Sequence, residues 1–451
     1  MRTWPIAAAV VAGSVALGAQ GVHAAAFGLT EHGASGLGNA YAGGSAAALD
    51  PSTVFFNPAG MTRLPGIRIA GALLGVAPSI EFDNQGSFGN GGRPISPAAG
   101  SDPDGGNAGT TVAIPNLYYT HQINDRVTAG LAIDAPFGLK TEYDDGWVGR
   151  YHAINSDLVT VNLNPSIAVK VSDSLSLGAG VSAMYADVEL TRDLDACALV
   201  PPRLGGPLPG RCDLSSKVTG DDWGFGFNLG LLWSPTESTR LGLSYRSRVE
   251  QRLEGKGHFD YSAATPAVLR SGLEASGLVD GTSARADLTL PDSISLSLYH
   301  EISPDWAVMA DVTWTEWSLV DTIVIDFDTG ARSELDLNYK DSFRYSLGVT
   351  YAPAGRWTWR AGLAYDEEPV RNDRTRTPRL PGNDRFWVAL GAGYSWNEDL
   401  TVDVGYAHLF VDDTRIRNTV TDFNGAVSET LVGEYDLAVD VFGLQATWRI
   451  R

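Results

Sequence analysis

Apolar side chains alternate with small or polar ones along many stretches of this chain, and residues 223–233 show the pattern most fully. One face of this stretch consists of large apolar residues: Trp223, Phe225, Phe227, Leu229, Leu231 and Trp233. The other face begins with glycine and asparagine, so a period of two predicts a β-strand with one apolar face. The two tryptophans are separated by about 33 Å along a strand. At a tilt of ~45° this becomes roughly 23 Å of height, close to the ~25 Å apolar band of a membrane barrel.

The same alternation predicts fourteen strands along the chain. They lie near 64–82, 112–122, 126–143, 156–171, 174–191, 221–234, 239–257, 285–301, 305–327, 334–352, 356–367, 384–396, 399–417 and 428–449. Short turns alternate with long connections at 83–111, 192–220 and 258–284. An even strand number with short turns on one side and long loops on the other is typical of outer-membrane barrels. We therefore predict an all-β fold, in which residues 64–451 form a fourteen-stranded antiparallel transmembrane β-barrel.

Two segments precede the predicted barrel. Residues 1–24 combine Arg2, a short apolar run and the small-residue pattern Val22-His23-Ala24, which predicts a cleaved export signal. Residues 25–63 are rich in glycine and alanine and lack the alternation of a strand. A compact segment of this kind, attached to a strand-rich chain, predicts a plug seated inside the lumen.

The formal net charge of −20 argues against nucleic acid as a partner. It is compatible with solubility of the exposed loops, and also with divalent-cation contacts to lipopolysaccharide. The predicted surroundings are lipopolysaccharide and outer-membrane lipid in a Gram-negative cell, with a monomeric barrel and no cofactor.

Cys197 and Cys212 are the two cysteines of the chain, and both lie in a long connection rich in proline and glycine. An exported chain meets an oxidising compartment, so we predict a disulfide between them. A metal site would need further histidine or cysteine ligands nearby, and the sequence places none there.

Several motifs resemble the FadL/TodX (OmpP1) family of outer-membrane transporters. In chain order they are Ser35-Gly36-Leu37-Gly38-Asn39-Ala40-Tyr41-Ala42-Gly43, Asn57-Pro58-Ala59, Pro136-Phe137-Gly138-Leu139, Trp223-Gly224-Phe225-Gly226 and Asn383-Asp384-Arg385-Phe386-Trp387. The resemblance implies a fourteen-stranded barrel plugged by an N-terminal hatch. It also implies uptake of long-chain fatty acids or hydrocarbons, which are captured by extracellular loops and held at an internal site beside the hatch. Release would be sideways, through a gap at a kinked third strand.

The third predicted strand is interrupted by Pro136 and Gly138. Proline donates no ladder hydrogen bond, and glycine often marks a bend. The residues alone are equally compatible with a harmless strand end. The resemblance favours a lateral opening at Pro136, Phe137 and Gly138.

Two ligand contacts follow from the resemblance, Phe27 in the internal site and Arg192 as the partner of a substrate carboxylate. Val324 stands where fatty-acid transporters carry a second basic residue. The loss of that cation leaves neutral or aromatic hydrocarbons open as substrates.

The join between hatch and wall is predicted at Asn57, Pro58 and Ala59. Arg385 is a candidate to tie the hatch through this turn, because an arginine donates in a fork to carbonyl groups. The alternative is that the lumen-facing charges pair with one another and hold the strands together.

Other function classes make different demands on the sequence. A Gly-x-Ser-x-Gly nucleophile elbow is absent from the chain, so we expect no enzyme of the elbow type. A lipase without that elbow, a hydrophilic porin, and an adhesin or phage receptor remain as alternatives.

Overall fold

The computed structural model describes residues 26–200, 210–423 and 425–450. The predicted signal at residues 1–24 lies outside the described residues. Among the described residues, the model contains no helix that is long and apolar enough to cross a membrane.

Fourteen antiparallel strands form one closed barrel, which confirms the predicted fold class. Eight strands are unbroken: β1 (Ile67–Asn84), β2 (Val112–Gln122), β4 (Asn155–Lys170), β5 (Leu175–Leu194), β6 (Leu214–Trp233), β11 (Trp357–Asp366), β12 (Arg385–Ser395) and β14 (Val427–Ile450). The other six have two segments each: β3 (Val127–Asp134, Gly138–Glu142), β7 (Thr239–Arg246, Val249–Tyr261), β8 (Thr282–Leu290, Ser293–Ser303), β9 (Trp306–Thr315, Thr322–Phe327), β10 (Arg332–Asp336, Ser342–Tyr351) and β13 (Leu400–Val411, Thr414–Asp422). The barrel closes where β1 pairs with β14 along its whole length, from Ile67 opposite Ile450 to Asn84 opposite Gly433.

The apolar face of each strand points outward, as the alternation predicts. Along β6, Trp223 and Phe225 are exposed, whereas Asn228 and Leu232 are buried on the lumen side. A soluble protein would bury such a face, but lipid covers it in a membrane barrel.

Several strands extend further on the loop side than the alternation predicts. β6 begins at Leu214, whereas the prediction placed its start near residue 221. Its first residues, Leu-Ser-Ser-Lys-Val-Thr-Gly, are mostly polar because they lie beyond the apolar band, where no lipid demands an apolar face.

The N-terminal segment, residues 26–63, consists of short helices and turns rather than strands. The helices are α1 (Ala34–Leu37), α2 (Gly44–Ala47) and α3 (Thr53–Phe56), followed by a 3₁₀ turn at Pro58–Arg63. The segment contacts strands on opposite sides of the barrel. Asn39 donates to the Val349 carbonyl of β10 at 2.8 Å, and Tyr118 of β2 donates to the His32 carbonyl at 2.8 Å. Residues 26–63 therefore lie within the lumen.

The long outer loops pack over the loop-side end of the barrel. Cys197 and Cys212 form a disulfide in the connection between β5 and β6, with Cα atoms 5.3 Å apart. Leu269, on helix α4 (Ala267–Ala275) of the connection between β7 and β8, packs against this disulfide. Two of the predicted long connections are thus joined in one outer structure.

Candidate functional site

The interruption of β3 leaves a notch in the barrel wall. The inner segment pairs with β2 up to Ile133, whereas the described pairings of Gly138–Glu142 within the barrel are with β4. Pro136 lies in the interruption and cannot donate a ladder hydrogen bond. Further out, loop residue Gly109 bridges Thr141 and resumes the wall. The notch is thus bounded on both sides along the strand direction.

The start of the N-terminal segment fills this notch. The Leu29 amide donates to the Pro136 carbonyl at 2.8 Å, and the Gly138 amide donates to the Phe27 carbonyl at 2.9 Å. Gly28 lies opposite Phe137 as an antiparallel bridge. Residues 27–29 therefore act as a short strand at the position that β2 leaves vacant.

Phe27 packs in an aromatic cluster beside the notch. Its ring is 3% exposed and meets Trp317 edge-on at 4.8 Å between ring centroids. Phe137 lies 6.2 Å from Phe27 and 6.4 Å from Trp317. The resemblance implies Phe27 in the internal site and Phe137 in the lateral opening, and the structure brings the two rings together. The alternation predicts a continuous ninth strand near 305–327, which is wrong at Trp317. Trp317 is buried because the chain leaves the strand between Thr315 and Thr322 and turns inward.

An apolar cavity of ≈ 90 Å³ lies on the outer side of Phe27. Its walls are inward-facing aliphatic residues from β3 to β10 and the break within β10: Leu139, Leu158, Val188, Leu190, Val218, Leu253, Leu288, Ile323, Ile325, Leu335 and Leu337. Its charged lining residues are Arg285 and Arg379. Such a chamber favours an apolar ligand with few polar contacts.

Two further cavities lie on either side of this chamber. An outer cavity of ≈ 260 Å³ shares Leu190, Val218, Ile325, Leu335 and Arg379 with it. An inner cavity of ≈ 170 Å³ lies on the other side of the Phe27 and Trp317 rings and reaches Pro136 and Phe137. The three cavities form a series from the outer loops to the notch, with the aromatic cluster between the second and the third.

Arg192 lies in the outer cavity, where its charge is already paired with a carboxylate. Its Nη2 and Nη1 atoms donate to the two carboxylate oxygens of Asp422 at 2.7 and 3.0 Å. Nη1 also donates to the Tyr151 carbonyl at 3.2 Å. A substrate carboxylate at Arg192 would have to compete with this bidentate pair.

Arg379 is a buried cation for whose role the sequence gives no signal. It belongs to the loop between β11 and β12, is 6% exposed, and lines both the apolar and the outer cavity. Burial and the positive charge of Arg192 lower the pKa of Arg379 to about 9, so it stays protonated at neutral pH. Its sequence context, Pro378-Arg379-Leu380-Pro381, has the features of an ordinary exposed loop, and only the folding of that loop into the barrel mouth brings it to the cavity.

Asn57 connects the N-terminal segment to β6. Its side-chain amide donates to the carbonyls of Ser45 at 2.6 Å and Leu231 at 2.9 Å, and its Oδ1 accepts from the Ala59 amide at 3.0 Å. A Cβ at Gly230 would overlap Asn57 Oδ1, so the close approach requires glycine there. Pro58 and Ala59 pack in the same way on Gly178 of β5.

Arginines of the wall also donate to the backbone of the N-terminal segment. Arg240 donates to the carbonyls of Ala46 and Ala47 at 3.2 and 3.1 Å. Arg246 donates to Phe55 and Arg344 to Ala40, at 2.9 and 2.8 Å. These three arginines hold carbonyls along the length of the segment.

Arg385 forms an ion pair with Asp366 on the neighbouring strand, at 3.3 Å. Such pairing between lumen-facing charges is the alternative to a contact between Arg385 and the Asn57 turn. The charge of Arg385 also attracts the buried carboxylate of Glu31, which belongs to the N-terminal segment. Arg385 thus interacts electrostatically with Glu31 of the segment, and a hydrogen bond to Leu231 of β6 holds Asn57.

Comparison with known proteins places these features in a family. Residues 15–450 match the family described as outer membrane protein transport protein (OMPP1/FadL/TodX). The long-chain fatty acid transport protein of Escherichia coli O6:H1 is 31% identical over 412 residues, which cover 88% of this chain and 89% of that protein. Outer membrane protein P1 of Haemophilus influenzae is 32% identical over 425 residues, which cover 89% of each.

Solved structures agree with the fold. The crystal structure of a Pseudomonas aeruginosa FadL homologue superposes with a TM-score of 0.87 at 28% identity, covering 95% of this chain and 100% of that one. The CymD monoaromatic hydrocarbon channel shares the fold, with a TM-score of 0.65 at 21% identity over 94% of this chain and 99% of that one. With a family match that spans most of the sequence, this chain belongs to the OMPP1/FadL/TodX family of outer-membrane transport proteins, in the outer membrane of a Gram-negative bacterium.

Proposed function

We propose that this protein is a passive importer of long-chain fatty acids or similar hydrophobic molecules, and not an enzyme. The observation that carries the proposal is the apolar cavity closed on its inner side by Phe27, a residue whose backbone also fills the notch in the wall. Relatives named long-chain fatty acid transport proteins match nearly the whole chain. A ligand in this cavity would touch the residue that closes the way onward.

The proposed route runs from the outer cavity through the apolar cavity to the notch. Passage along the barrel axis would release an apolar tail into water, at about 0.8 kcal/mol for each exposed CH₂ group. Exit through the wall delivers the tail directly to lipid. The notch between β2 and β3 is the place where the wall is held by the N-terminal segment rather than by a neighbouring strand.

Residues 27–29 act as the gate in this proposal. Their two hydrogen bonds to Pro136 and Gly138 contribute roughly 1–3 kcal/mol together, by the usual net value per bond. Burial of the Phe27 ring adds about 1.5–3 kcal/mol. A ligand of micromolar affinity binds with about 8 kcal/mol, so a ligand that gains most of this free energy only in the open state can offset the closing contacts.

A cross-link tests the gate. Gly28 and Phe137 face each other between the two hydrogen bonds, where antiparallel Cα atoms lie about 4.5 Å apart, close enough for a disulfide. The double variant Gly28→Cys/Phe137→Cys, once oxidised, should lower uptake of radiolabelled oleate by about tenfold or more, as for a locked lid. Reduction with dithiothreitol should restore uptake.

The matched control joins strands that are already paired. Ile133→Cys with Leu163→Cys links β3 to β4 below the notch and should leave uptake near the wild-type level. Each single cysteine variant, and wild-type protein treated with dithiothreitol, complete the set. Undiminished uptake by the oxidised Gly28–Phe137 pair would overturn the lateral gate.

A further inference from the structure

Of the arginines that line the apolar and outer cavities, Arg379 is the most deeply buried. It lines the boundary between the apolar cavity and the outer cavity, and it is almost fully buried. Any amphiphilic molecule that moves from the loops into the apolar chamber must pass this guanidinium.

The hydrogen bonds of Arg379 all go to neutral oxygens. Nη1 donates to the Asn155 carbonyl at 3.1 Å and to Ser156 Oγ at 2.9 Å. Nη2 donates to the Thr191 carbonyl at 3.3 Å. A guanidinium has five N–H donors, so these three contacts orient the group without exhausting it.

Arg379 also lacks the counter-ion that several other buried arginines of the described residues possess. Among the described residues no carboxylate forms an ion pair with it within 4.0 Å, and its electrostatic neighbours are Arg192 and Tyr143. By contrast, Arg150 pairs with Asp213 and Arg360 with Asp403, each at 2.7 Å. An uncompensated buried charge is unfavourable, and it favours an anion that arrives from outside.

We propose that Arg379 binds the carboxylate head group of the transported molecule, while its tail occupies the apolar cavity toward Phe27. This inference rests on the proposed import function and narrows its substrate class to apolar monocarboxylates. It also moves the head group away from Arg192, whose charge Asp422 satisfies. On the ninth strand, Ile323 and Ile325 are among the described residues that line the apolar cavity and Val324 is not, so the cation at this cavity comes from Arg379 on a loop.

The test compares ligands that differ only in the head group. Purified protein in detergent is titrated with oleic acid, oleyl alcohol and 1-octadecene, and dissociation constants are read by calorimetry. Wild-type protein should bind oleate more tightly than the alcohol by roughly 10- to 100-fold, as for a hydrogen bond to a charged group. Arg379→Gln should remove most of that preference and change the alcohol affinity by less than about threefold.

Two control variants keep the result interpretable. Arg379→Lys retains the charge and should retain part of the preference for oleate. Arg192→Gln with Asp422→Asn removes the neighbouring ion pair as a unit and should leave the preference intact. Heat-modifiable migration on gels checks that each variant is folded.

The possible outcomes test the role of Arg379 separately from the proposed import function. Equal binding of oleate and oleyl alcohol by the wild-type protein would overturn the head-group assignment, even if Arg379→Gln did not fold. An oleate preference that persists in folded Arg379→Gln would overturn it as well. Binding of none of the three ligands would instead overturn the proposed import function.

Discussion

At Gly230 the fit between the N-terminal segment and the barrel wall depends on a missing methyl group. A Cβ there would overlap Asn57 Oδ1. Gly230→Ala should therefore weaken docking of the turn at Asn57 by about 1–3 kcal/mol, as overpacking usually does. Hydrogen exchange of residues 52–63 measures the effect. Gly71→Ala, at a strand glycine with open space around it, is the matched control. Equal protection in the two variants would contradict the docking model.

The buried carboxyl of Glu368 predicts a pH dependence in the outer loop between β11 and β12. Burial raises the pKa of Glu368 to about 7, against the attraction of Arg385 and Arg376. The folded loop therefore binds more protons than the unfolded chain between about pH 4.5 and 7. Its stability should fall as the pH rises through this window.

Hydrogen exchange of residues 367–384, corrected for intrinsic rates, can measure this trend at about pH 5 and about pH 7.5, on either side of most of the titration. Glu368→Gln keeps the side chain neutral and should flatten the dependence. If the variant shows the same loss of protection as the wild-type protein, Glu368 is not its source.

Individual residues could be predicted correctly from the sequence where the pattern of their immediate neighbours indicates their structural role. Pro136 and Gly138 interrupt an alternating strand, so the interruption of β3 could be predicted. Trp317 and Arg379 could not be found in this way. Each reaches its cavity because a strand break or a loop folds inward, and that depends on contacts with residues far away in the chain.

Among the outer elements, the loop between β5 and β6 depends on its disulfide more than the barrel does. Cys197 and Cys212 are separated by 15 positions, and closing a loop of that length stabilises by about 3 kcal/mol. Replacing both with serine should speed trypsin cleavage within residues 195–213. The strands on either side are fixed by their ladders, so the barrel should keep its heat-modifiable migration. Unchanged cleavage would show that packing against Leu269 orders the loop without the disulfide.

At the scale of the whole molecule, we expect the N-terminal segment to determine whether the barrel is open. All fourteen strands pair with one another, and the ladder between β1 and β14 does not need the segment. Deleting residues 25–63 should therefore leave a folded barrel with a wider lumen. Ion conductance in planar bilayers should rise severalfold, as expected for a barrel of this size without its plug. Conductance equal to that of the full chain would favour the hydrophilic porin instead.

The strand number and the closed barrel could be predicted because lipid imposes a period of two on every strand. The same rule stops at the edge of the apolar band, so the outer ends of strands such as β6 were misplaced. The residues on the lumen face of the strands do not follow from contact with lipid. Its glycines, including Gly178 and Gly230, are explained only by the segment packed against them, and a pattern within one strand contains no sign of that partner.

If residues 1–24 are removed as we predict, the strand that fills the notch is a chain end rather than part of a loop. Predicted removal of residues 1–24 would leave Ala25 as the terminus, two positions before Phe27. A loop is held at both ends and must move as a whole, whereas a chain end can detach one residue at a time. Releasing three residues would recover roughly 3–6 kcal/mol of backbone conformational entropy, similar in size to the contacts that are lost. Opening would then behave as a local melting event, becoming more frequent with warming, and residues added in front of Ala25 would slow it by having to fray as well.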